Sequence, residues 1–517
     1  MRRREFIQCL LPLAGMPLVF PMWSVANALG QSRLRKFASV PDDGRVLVLV
    51  QLAGGNDGLN TIVPYGYDEY YNARPQLAIP KADIIDINGE IGFHPSLLNM
   101  KKLLDNDRLA IVQGVGYPNP NRSHFKSTDI WLTASDSDQI QETGWLGRYF
   151  DQVCPPEEDS GTGAACVSSG PPAIQIGLTS SLALLGKNPR GIALRDPLAF
   201  YNLVSKQSDS HGSDPSPVPQ TTAERELAFL RETASAAFSY ADEIKNASEL
   251  GKNTLEYPQT SLAEQLAIVA RLIAGGLSTR IYVVSIKGFD THANQLGTHA
   301  GLLQQVADAI WAFQQDLDNL GLSDRVIGMC FSEFGRRVYE NASSGTDHGT
   351  AAPMLLFGKP IQGGIYGPHP SLSDLDRGDL RFVYDFRQLY ATLLEHWLAY
   401  NSVDVLGTAY STLPLIDGKI TGTSGRNIIP DRIYLAQNYP NPFNPATTIE
   451  YGLPTPAEVE ISVYSILGRR IKTLFKGHQS AGVHRMQWRP NGLPSGTYLI
   501  QLRAGNAKWV RKARYVK

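Results

Sequence analysis

Side chains that can bind a metal ion or act as a nucleophile recur in four short segments of this sequence. Each segment follows an apolar run with the pattern of a buried β-strand. Because loops at the carboxyl ends of parallel strands build the sites of α/β proteins, we expect these segments to converge. The candidates, in chain order, are Asn56 and Asp57; Arg122, Ser123 and His124; Asp290 and His292; Glu333, Arg336, Asn341, Asp347 and His348.

The third and fourth segments favour a divalent metal ion. Asp290 and His292 are two positions apart, and Asp347 and His348 are adjacent. Such pairs offer both oxygen and nitrogen ligands, which suit zinc, manganese or iron better than calcium, whose sites are built from oxygens. The structural alternatives are that Asp290 caps the following helix and that His348 only orients Asp347. The sequence therefore predicts a metal site and leaves its identity open, calcium included.

The glycine-rich turn after the first strand, "GGNDG", contains Asp57. It lacks the G-x-G-x-x-G order of a dinucleotide-binding turn and the Gly-Lys-Ser/Thr ending of a P-loop. We interpret Asp57 as a carboxylate directed at a cation. The alternative is that Asp57 only hydrogen-bonds the backbone of its own turn.

Ser123 is the candidate nucleophile. It precedes the helical-looking stretch "HFKSTDIW". A hydroxyl at a helix N-terminus lies where an anionic group is favoured. The structural alternative is that Ser123 is an ordinary N-cap residue.

Two arginines and one glutamate complete the set of candidate catalytic residues. Arg122 and Arg336 are candidates for contacting an anionic substrate, with surface ion pairs as the alternative. Glu333 is expected to accept a hydrogen bond from a site residue or to pair with Arg336. The polar residues expected to support the ligands or contact the substrate are Asn56, His124 and Asn341, with His94 and His299 as weaker candidates.

The pattern between Arg45 and about Ile416 predicts an α/β domain with a largely parallel sheet, because short apolar runs alternate with longer helical periods. A polar, Pro/Ser-rich stretch at Ser205–Thr222 predicts a surface loop. The predicted strands are Val46–Val50, Leu109–Gln113, Ala173–Ile176, Arg280–Ile286, Val326–Phe331 and Met354–Phe357. The predicted helices are Ser96–Leu104, Ala223–Lys245, Ser261–Gly275, Leu296–Leu320 and Phe386–Tyr400.

Residues 1–28 have the pattern of an export signal, with a basic start, a short apolar run and a small-x-small site. The Arg-Arg-x-Phe-Ile order resembles a twin-arginine signal, which implies the twin-arginine translocase as a partner. The apolar run is shorter than the ~20 residues of a membrane span, so no stable span is expected. In the oxidising compartment that export implies, Cys154 and Cys166 are expected to pair, whereas Cys330 lies in an apolar run and predicts a buried thiol.

A chain of 517 residues predicts two or more domains. We divide it into the signal at 1–28, the α/β domain at 40–416, a linker at 417–430 and a β-sandwich at 431–517, where short strands alternate between Pro/Gly/Asn turns. The 48 basic and 49 acidic side chains give a net charge near zero, so the sequence offers no electrostatic case for nucleic acid as the main partner.

The C-terminal segments "NYPNPFNPATTIEYGLP", "VYSILGRRIKTL" and "LPSGTYLIQL" resemble the sorting domain of type IX secretion substrates. The resemblance covers roughly the last eighty-five residues. It implies that the type IX machinery is a partner. It also implies delivery through the periplasm and across the outer membrane to the cell surface or the medium.

The larger domain carries a second resemblance. "QLAGGNDGLNTIVPY", "RSHFKSTDIW", "GFDTHANQ" and "SEFGRRVYENASSGTDHG" resemble, in this order, the exported family catalogued as domain of unknown function 1501. That family is placed in the alkaline phosphatase/sulfatase superfamily. The resemblance implies an alkaline phosphatase-like α/β/α sandwich with a largely parallel sheet.

The superfamily pattern has an early Asp ligand, a Ser or Thr nucleophile, an Asp-x-x-x-His pair, an Asp-His pair and a final His. Asp57, Ser123 and the pair Asp347 and His348 fit that order. Two positions depart from it. Position 294 is Asn, so His292 would replace the usual histidine, and His369 is the candidate for the final one.

Two functions follow from these observations. The first is an exported metal-dependent hydrolase of phosphate or sulfate esters, acting on a small anionic ester or a sulfated or phosphorylated glycan. Asp57, Asp347 and His348 would hold one ion, Asp290 and His292 a second, and the ions would activate Ser123. The alternative is a non-catalytic surface or secreted module that keeps the fold for binding or assembly.

Overall fold

The computed structural model describes residues 44–153, 170–188, 191–208 and 240–416, and, with breaks of one or two residues, 433–516. The chain divides into two compact units, Met1–Gly418 and Lys419–Lys517. Several predicted features lie outside the described residues: the signal at 1–28, Cys154 and Cys166, and the linker at 417–430. Cys330 is a buried free thiol, as its apolar run predicted.

A mixed sheet of nine strands forms the centre of the first unit. The strands are β1 Val46–Ala53, β2 Leu109–Gly116, β3 Ala173–Ile176, β4 Gly191–Leu194, β5 Ile281–Lys287, β6 Val326–Phe331, β7 Ala352–Phe357, β8 Gly364–Tyr366 and β9 Tyr384–Asp385. Their order in space is β8-β2-β7-β6-β1-β5-β3-β4, and β9 pairs with β2. All pairs are parallel except those of β7, which is antiparallel to β2 and β6. The predicted α/β class with a largely parallel sheet is confirmed.

Eleven α-helices lie within the described part of this unit. The prediction at Phe386–Tyr400 was one helix, whereas the structure has an α-helix followed by a π-helical turn at Leu393–Trp397. The helices are α1 Gly58–Thr61, α2 Asp68–Ala73, α3 Leu98–Asp105, α4 His124–Thr133, α5 Trp145–Val153, α6 Pro197–Ser208, α7 240–250, α8 Ser261–Ala274, α9 Gln295–Asn319, α10 Phe386–Thr392 and α11 Ser402–Leu406. Short 3-10 turns are at Lys81–Asp83, Pro95–Leu97, Leu182–Leu184 and Ser323–Arg325.

The sheet is covered on both faces. Successive strand residues point to opposite faces, so Val46, Val48 and Val50 of β1 share one face and pack in one core cluster with α8 and α9. On the other face, Trp131 of α4 stacks on Phe331 of β6 and on a phenylalanine of α10. Burial on both faces explains why β1 is an almost unbroken apolar run rather than an alternating one.

The first unit also contains three small sheets that are separate from the central one. The most relevant to the site is a two-stranded ribbon of Arg336–Glu340 and Thr346–His348, in which Arg336 lies opposite His348. The second is a hairpin of Leu375–Asp376 and Asp379–Leu380. The third contains Ile62–Val63, Ile85–Asp86 and Gly92–Phe93.

The second unit is built from two antiparallel sheets that share one core. Its three-stranded sheet contains Tyr434–Leu435, Thr447–Leu453 and Gly482–Trp488. Its four-stranded sheet contains Ala457–Ser465, Arg470–Gln479, Gly496–Ala504 and Ala507–Tyr515. Side chains from both sheets meet in the core, as in a β-sandwich. Within the described ranges, no helix has the length and apolarity needed to cross a bilayer.

Candidate metal centre

The predicted segments follow β1, β2, β5 and β6, and these four strands end at the same edge of the sheet. Direct hydrogen bonds join the segments across large sequence distances. The backbone N–H of Gly54 donates to Glu333 Oε1 over 2.9 Å, and Arg336 Nε donates to the carbonyl of Gly55 over 2.7 Å. The expected convergence of the segments is therefore present in the structure.

Three side chains form the central cluster of this edge: His124, Asp290 and His348. One potential ligand atom from each lies within 4.8 Å of the other two. Asp290 is in the middle, with Oδ2 3.4 Å from His124 Nε2 and Oδ1 3.3 Å from His348 Nε2. Two imidazoles and one carboxylate are a ligand set that zinc, manganese and iron accept.

In both cluster histidines, the Nδ1 atom on the outer side of the ring faces an oxygen acceptor. Nδ1 of His124 lies 2.8 Å from Glu333 Oε1, and Nδ1 of His348 lies 2.8 Å from the carbonyl oxygen of Arg122. A backbone carbonyl only accepts, so Nδ1 of His348 carries the proton. Glu333 Oε1, which also accepts from the N–H of Gly54, places an acceptor at Nδ1 of His124. In the neutral ring, Nε2 then presents its lone pair to the cluster, which is the arrangement found in metal-binding histidines.

His292 adds a third imidazole at the rim. Its Nε2 lies 3.1 Å from Asp290 Oδ1 and 2.8 Å from His348 Nε2. Its Nδ1 faces Asp347 Oδ1 at 3.4 Å, so Asp347 contacts the outer side of the ring. Two facing lone pairs repel each other at such a distance unless a proton or a cation lies between them.

The cluster fits a metal ion on its own geometry. His124 Nε2 is buried and has no hydrogen-bond partner within the described residues, although an acceptor nitrogen in such a place costs free energy when left unpaired. A cation bound by His124, Asp290 and His348 would satisfy that nitrogen and the close pair of His348 and His292. Asp290 is 48% exposed, so the cluster is open on one side.

Arg336 holds the central carboxylate in place. Its side chain is fully buried and donates to the carbonyls of Gly54, Gly55 and Thr346 and to Asp290 Oδ1. Burial alone would raise the pKa of Asp290, but the hydrogen bond and the positive charge of the buried Arg336 are foremost in outweighing it, and the pKa falls to about 2. Arg336 therefore positions the Asp290 carboxylate while backbone carbonyls accept from its other N–H groups, and its contact with a substrate stays a prediction.

Asp57 lies apart from the central cluster. Its carboxylate is fully buried, 2.6 Å from Arg74 Nη1, and accepts from Gln295 and from the N–H of Leu59 at the start of α1. Burial would raise the pKa of Asp57, and the Arg74 ion pair outweighs this and lowers it. The predicted ligand role for Asp57 differs from this placement, because its cation is an arginine.

The remaining predicted residues divide between the rim and the scaffold. Asn341 donates to Asp347 Oδ1 over 3.2 Å, and this bond is the main reason that the pKa of Asp347 is lowered. Ser123 is exposed at the N-cap position of α4, where its side chain makes no capping hydrogen bond. Asn56 is buried and bonds Thr61 and His299.

His124 was predicted to support the site, and the structure places it in the central cluster. A signal for this was present, because His124 is the first residue of a helix that follows a buried strand. The suggested final histidine, His369, does not join the cluster. It stacks on Tyr67, and its Nδ1 faces the carbonyl of Pro370 at 2.8 Å.

Two buried histidines near Asp57 predict an acid-sensitive fold. Burial lowers the pKa of His94 and His299 to about 4, from an ordinary value of 6.5. The unfolded chain binds these protons more readily. The contribution of these two neutral histidines to the free energy of unfolding is therefore expected to be fully present above pH 6.5. It should be lost progressively as the pH falls towards 4.

Urea unfolding of wild type and His299→Gln, from about pH 7 to about pH 4.5, measures this effect. Glutamine keeps a donor for Asn56 Oδ1 but cannot titrate, so the variant should show a weaker pH dependence. His478→Gln, at an exposed histidine of the second unit, should behave as the wild type. Equal slopes for all three proteins would contradict the expectation.

Comparison with known proteins relates both units to described groups. The structure resembles a protein in the alkaline phosphatase superfamily from Vibrio parahaemolyticus (9% identity, 88% of this chain and 85% of that chain, TM-score 0.32). It also resembles the PsFucS1 sulfatase from Pseudoalteromonas sp. (11% identity, 86% and 83% of the chains, TM-score 0.29). At these TM-scores the likeness carries no functional argument.

A third structure concerns a smaller part of the chain. It is PorZ, a surface component of the type-IX secretion system of Porphyromonas gingivalis (17% identity, 17% of this chain, TM-score 0.13), of whose length this chain spans 12%. No curated protein matches the sequence. Residues 437–514 match the family described as secretion system C-terminal sorting domain, which marks the chain for secretion. Residues 45–399 match the family described as protein of unknown function (DUF1501), and the chain belongs to that family.

Proposed function

We propose that this protein is an exported metal-dependent hydrolase of phosphate or sulfate esters. The observation that carries the proposal is the convergence of His124 Nε2, His348 Nε2 and the Asp290 carboxylate, with both outer Nδ1 atoms held by oxygen acceptors. The cluster is open beside Asp290, which is 48% exposed, so a position for water or substrate remains, as in catalytic metal sites.

His124, Asp290 and His348 would hold the ion, with His292 as a further ligand at the rim. When bound, the ion supplies positive charge that lowers the pKa of a coordinated oxygen and offsets charge on the transferred group. Nitrogen-rich ligands with one carboxylate favour zinc, manganese or iron over calcium. A single centre replaces the two-ion arrangement expected from the sequence, because Asp57 is neutralised by Arg74.

Ser123 is the proposed nucleophile. It immediately precedes a cluster ligand, its hydroxyl does not cap α4, and it is exposed to solvent. An anion beside it would face the free N–H groups of the first turn of α4, which favour negative charge. Glu333 and Arg336 act as positioning residues for His124 and Asp290.

Metal analysis of purified protein tests the proposal. We expect a stoichiometric divalent metal in the native protein, measured by inductively coupled plasma mass spectrometry. Turnover of a panel of aryl and glycan phosphate and sulfate esters should stop after chelation and return with zinc, manganese or iron. Native protein that contains no stoichiometric metal would refute the proposal.

A non-catalytic surface or secreted module is the second candidate. It is favoured by the loss of Asp57 from the ligand set and by the position of Asp347, which contacts His292 from outside. A protein that binds the metal and a glycan ligand, but turns over no ester in the panel, would support this candidate over the hydrolase.

Delivery is part of the same proposal. The sorting domain supports recognition by the type IX machinery, and with it a location on the cell surface or in the medium. We propose passage through the periplasm by way of the twin-arginine translocase. We also propose the domain bounds 1–28, 40–416, 417–430 and 431–517, and a disulfide between Cys154 and Cys166. Secretion of a chain truncated after Ile416 would count against the sorting role.

A further inference from the structure

Three arginines gather beside the central cluster: Arg122, Arg337 and Arg377, called here the arginine trio. They come from the loop after β2, the ribbon and the tip of the hairpin. The backbone carbonyl of Arg122 accepts from His348 Nδ1 over 2.8 Å, so Arg122 directly contacts one of the residues proposed to bind the metal. Arg337 Nη2 donates to the carbonyl of Arg377 over 3.5 Å.

A buried carboxylate brings two of these side chains together. Asp379 is 1% exposed; Arg122 Nη2 binds its Oδ2, and Arg337 Nε lies 3.7 Å from its Oδ1. Among the described residues, the one ion-pair partner of the Arg377 guanidinium is Asp376 Oδ1, at 4.0 Å, and the Arg377 side chain is 89% exposed. Arg122 and Arg337 therefore share one buried carboxylate, and the charge of Asp347 also acts on Arg337, which leaves the guanidinium of Arg377 as the exposed member of the trio.

The like charges also act on one another. Arg337 links its two neighbours, because its Nε shares the Asp379 carboxylate with Arg122 and its Nη2 donates to the carbonyl of Arg377. An arrangement that holds cations together is unfavourable unless an anion relieves it. Guanidinium groups bind sulfate and phosphate through paired N–H donors, so such an anion would be well recognised.

We propose that the arginine trio is a second anion subsite, and that the substrate carries at least two sulfate or phosphate groups. One group would occupy the metal centre and the other would contact Arg337 and Arg377. The inference rests on the proposed function, because it names the substrate class of that site. An ester with one charged group would leave the exposed guanidinium of Arg377 unused.

Binding of defined anions to the purified full-length protein tests the subsite. The probes are heparin-derived disaccharides with one or three sulfates, and orthophosphate compared with tripolyphosphate, all measured by isothermal titration calorimetry. Wild type should bind the multiply charged member of at least one series about tenfold more tightly, since each tenfold step requires about 1.4 kcal/mol, within reach of one charge-assisted contact.

The key variant is Arg377→Asn. Arg377 has a φ of +55°, a conformation that asparagine tolerates, so the hairpin should remain intact. The variant should lose most of the tenfold gain, whereas Arg377→Lys should keep part of it. Arg381→Asn is the matched control, because Arg381 follows the same hairpin and pairs with Asp374 instead.

Either series can support the subsite, and the series that responds identifies the anion. Equal binding of singly and multiply charged probes, or a gain that survives Arg377→Asn, would overturn the proposal. The assay needs no turnover, so its outcome is separate from that of the hydrolase. A protein without ester turnover can still show the arginine-dependent gain, and an active hydrolase can lack it.

Discussion

Replacing Asp290 by asparagine is expected to abolish both metal binding and ester turnover while the protein stays folded. Asp290 is the one carboxylate of the central cluster and lies between its two histidines. Asparagine keeps an oxygen for the 2.8 Å hydrogen bond from Arg336 Nη2 but removes the charge that attracts the cation. Because Asp290 is half exposed and asparagine keeps an acceptor for the buried Arg336, the loss of stability should be smaller than for a pair that is buried on both sides.

The expected loss of metal affinity in Asp290→Asn can be compared with the loss caused by changing a residue that only contacts a cluster histidine. Loss of a hydrogen-bond partner of a metal-binding histidine typically weakens metal affinity by roughly 10–100-fold. Glu333→Gln, which alters the acceptor behind His124, should fall in that range, and Asp290→Asn should exceed it. Metal affinity is measured by competition with a chromogenic chelator, and folding by circular dichroism.

Asp324→Asn serves as the control for the same chemical change. Asp324 pairs with Lys359 on the surface and is 74% exposed, so neither metal content nor turnover should change. Full metal occupancy in Asp290→Asn would show that the metal binds without this carboxylate, and would contradict the assignment of the ion to the central cluster. Wild-type metal affinity in Glu333→Gln would show that the hydrogen bond to His124 is not needed to orient this histidine towards the metal.

Replacing Asp57 by alanine is expected to have the largest effect on stability. The Asp57 and Arg74 side chains are both fully buried, 2.6 Å apart, and Arg74 also binds Asn60 and the carbonyl of Val338. Removing one partner of a buried pair leaves an uncompensated charge. The free energy of unfolding should fall by about 3–5 kcal/mol, measured by urea denaturation.

Asp324→Ala is the control for a pair on the surface. Asp324 and Lys359 are 74% and 45% exposed, and such a pair should contribute about 0–1 kcal/mol. The double variant Asp57→Leu, Arg74→Met should recover much of the loss, because it leaves no buried charge. Normal stability together with complete loss of metal would contradict this reasoning and restore Asp57 as a ligand.

Much of the fold was accessible from local patterns. The apolar runs at Ala173–Ile176 and Val326–Phe331 were predicted with the bounds that the structure has. Continuous apolar runs indicate strands that are buried on both faces, and this property is local. The short strands Gly364–Tyr366 and Tyr384–Asp385 were missed, because two or three half-buried residues carry no periodic signal.

The candidate site was accessible only in outline. Strand-end position selected the loops that contain Asp290 and His348, since parallel strands bring their carboxyl ends to one edge. The same rule also selected Asp57 as a metal ligand. A carboxylate that follows a strand has the same sequence pattern whether it pairs with a metal ion or with an arginine. Arg74, the residue that decides the matter, lies in no motif and follows α2.

What the sequence determined by itself was the set of ligand types and the strand ends that carry them, because composition, hydrophobic period and motif order are local properties. Only the tertiary structure decided which side chain faces which. The hydrogen-bond partner of His124 is Glu333, which is 209 positions away in the sequence. The partner of Asp57 is Gln295, which is 238 positions away. The direction of an imidazole lone pair depends on the acceptor behind the ring, and that acceptor arrives only when distant strands have paired.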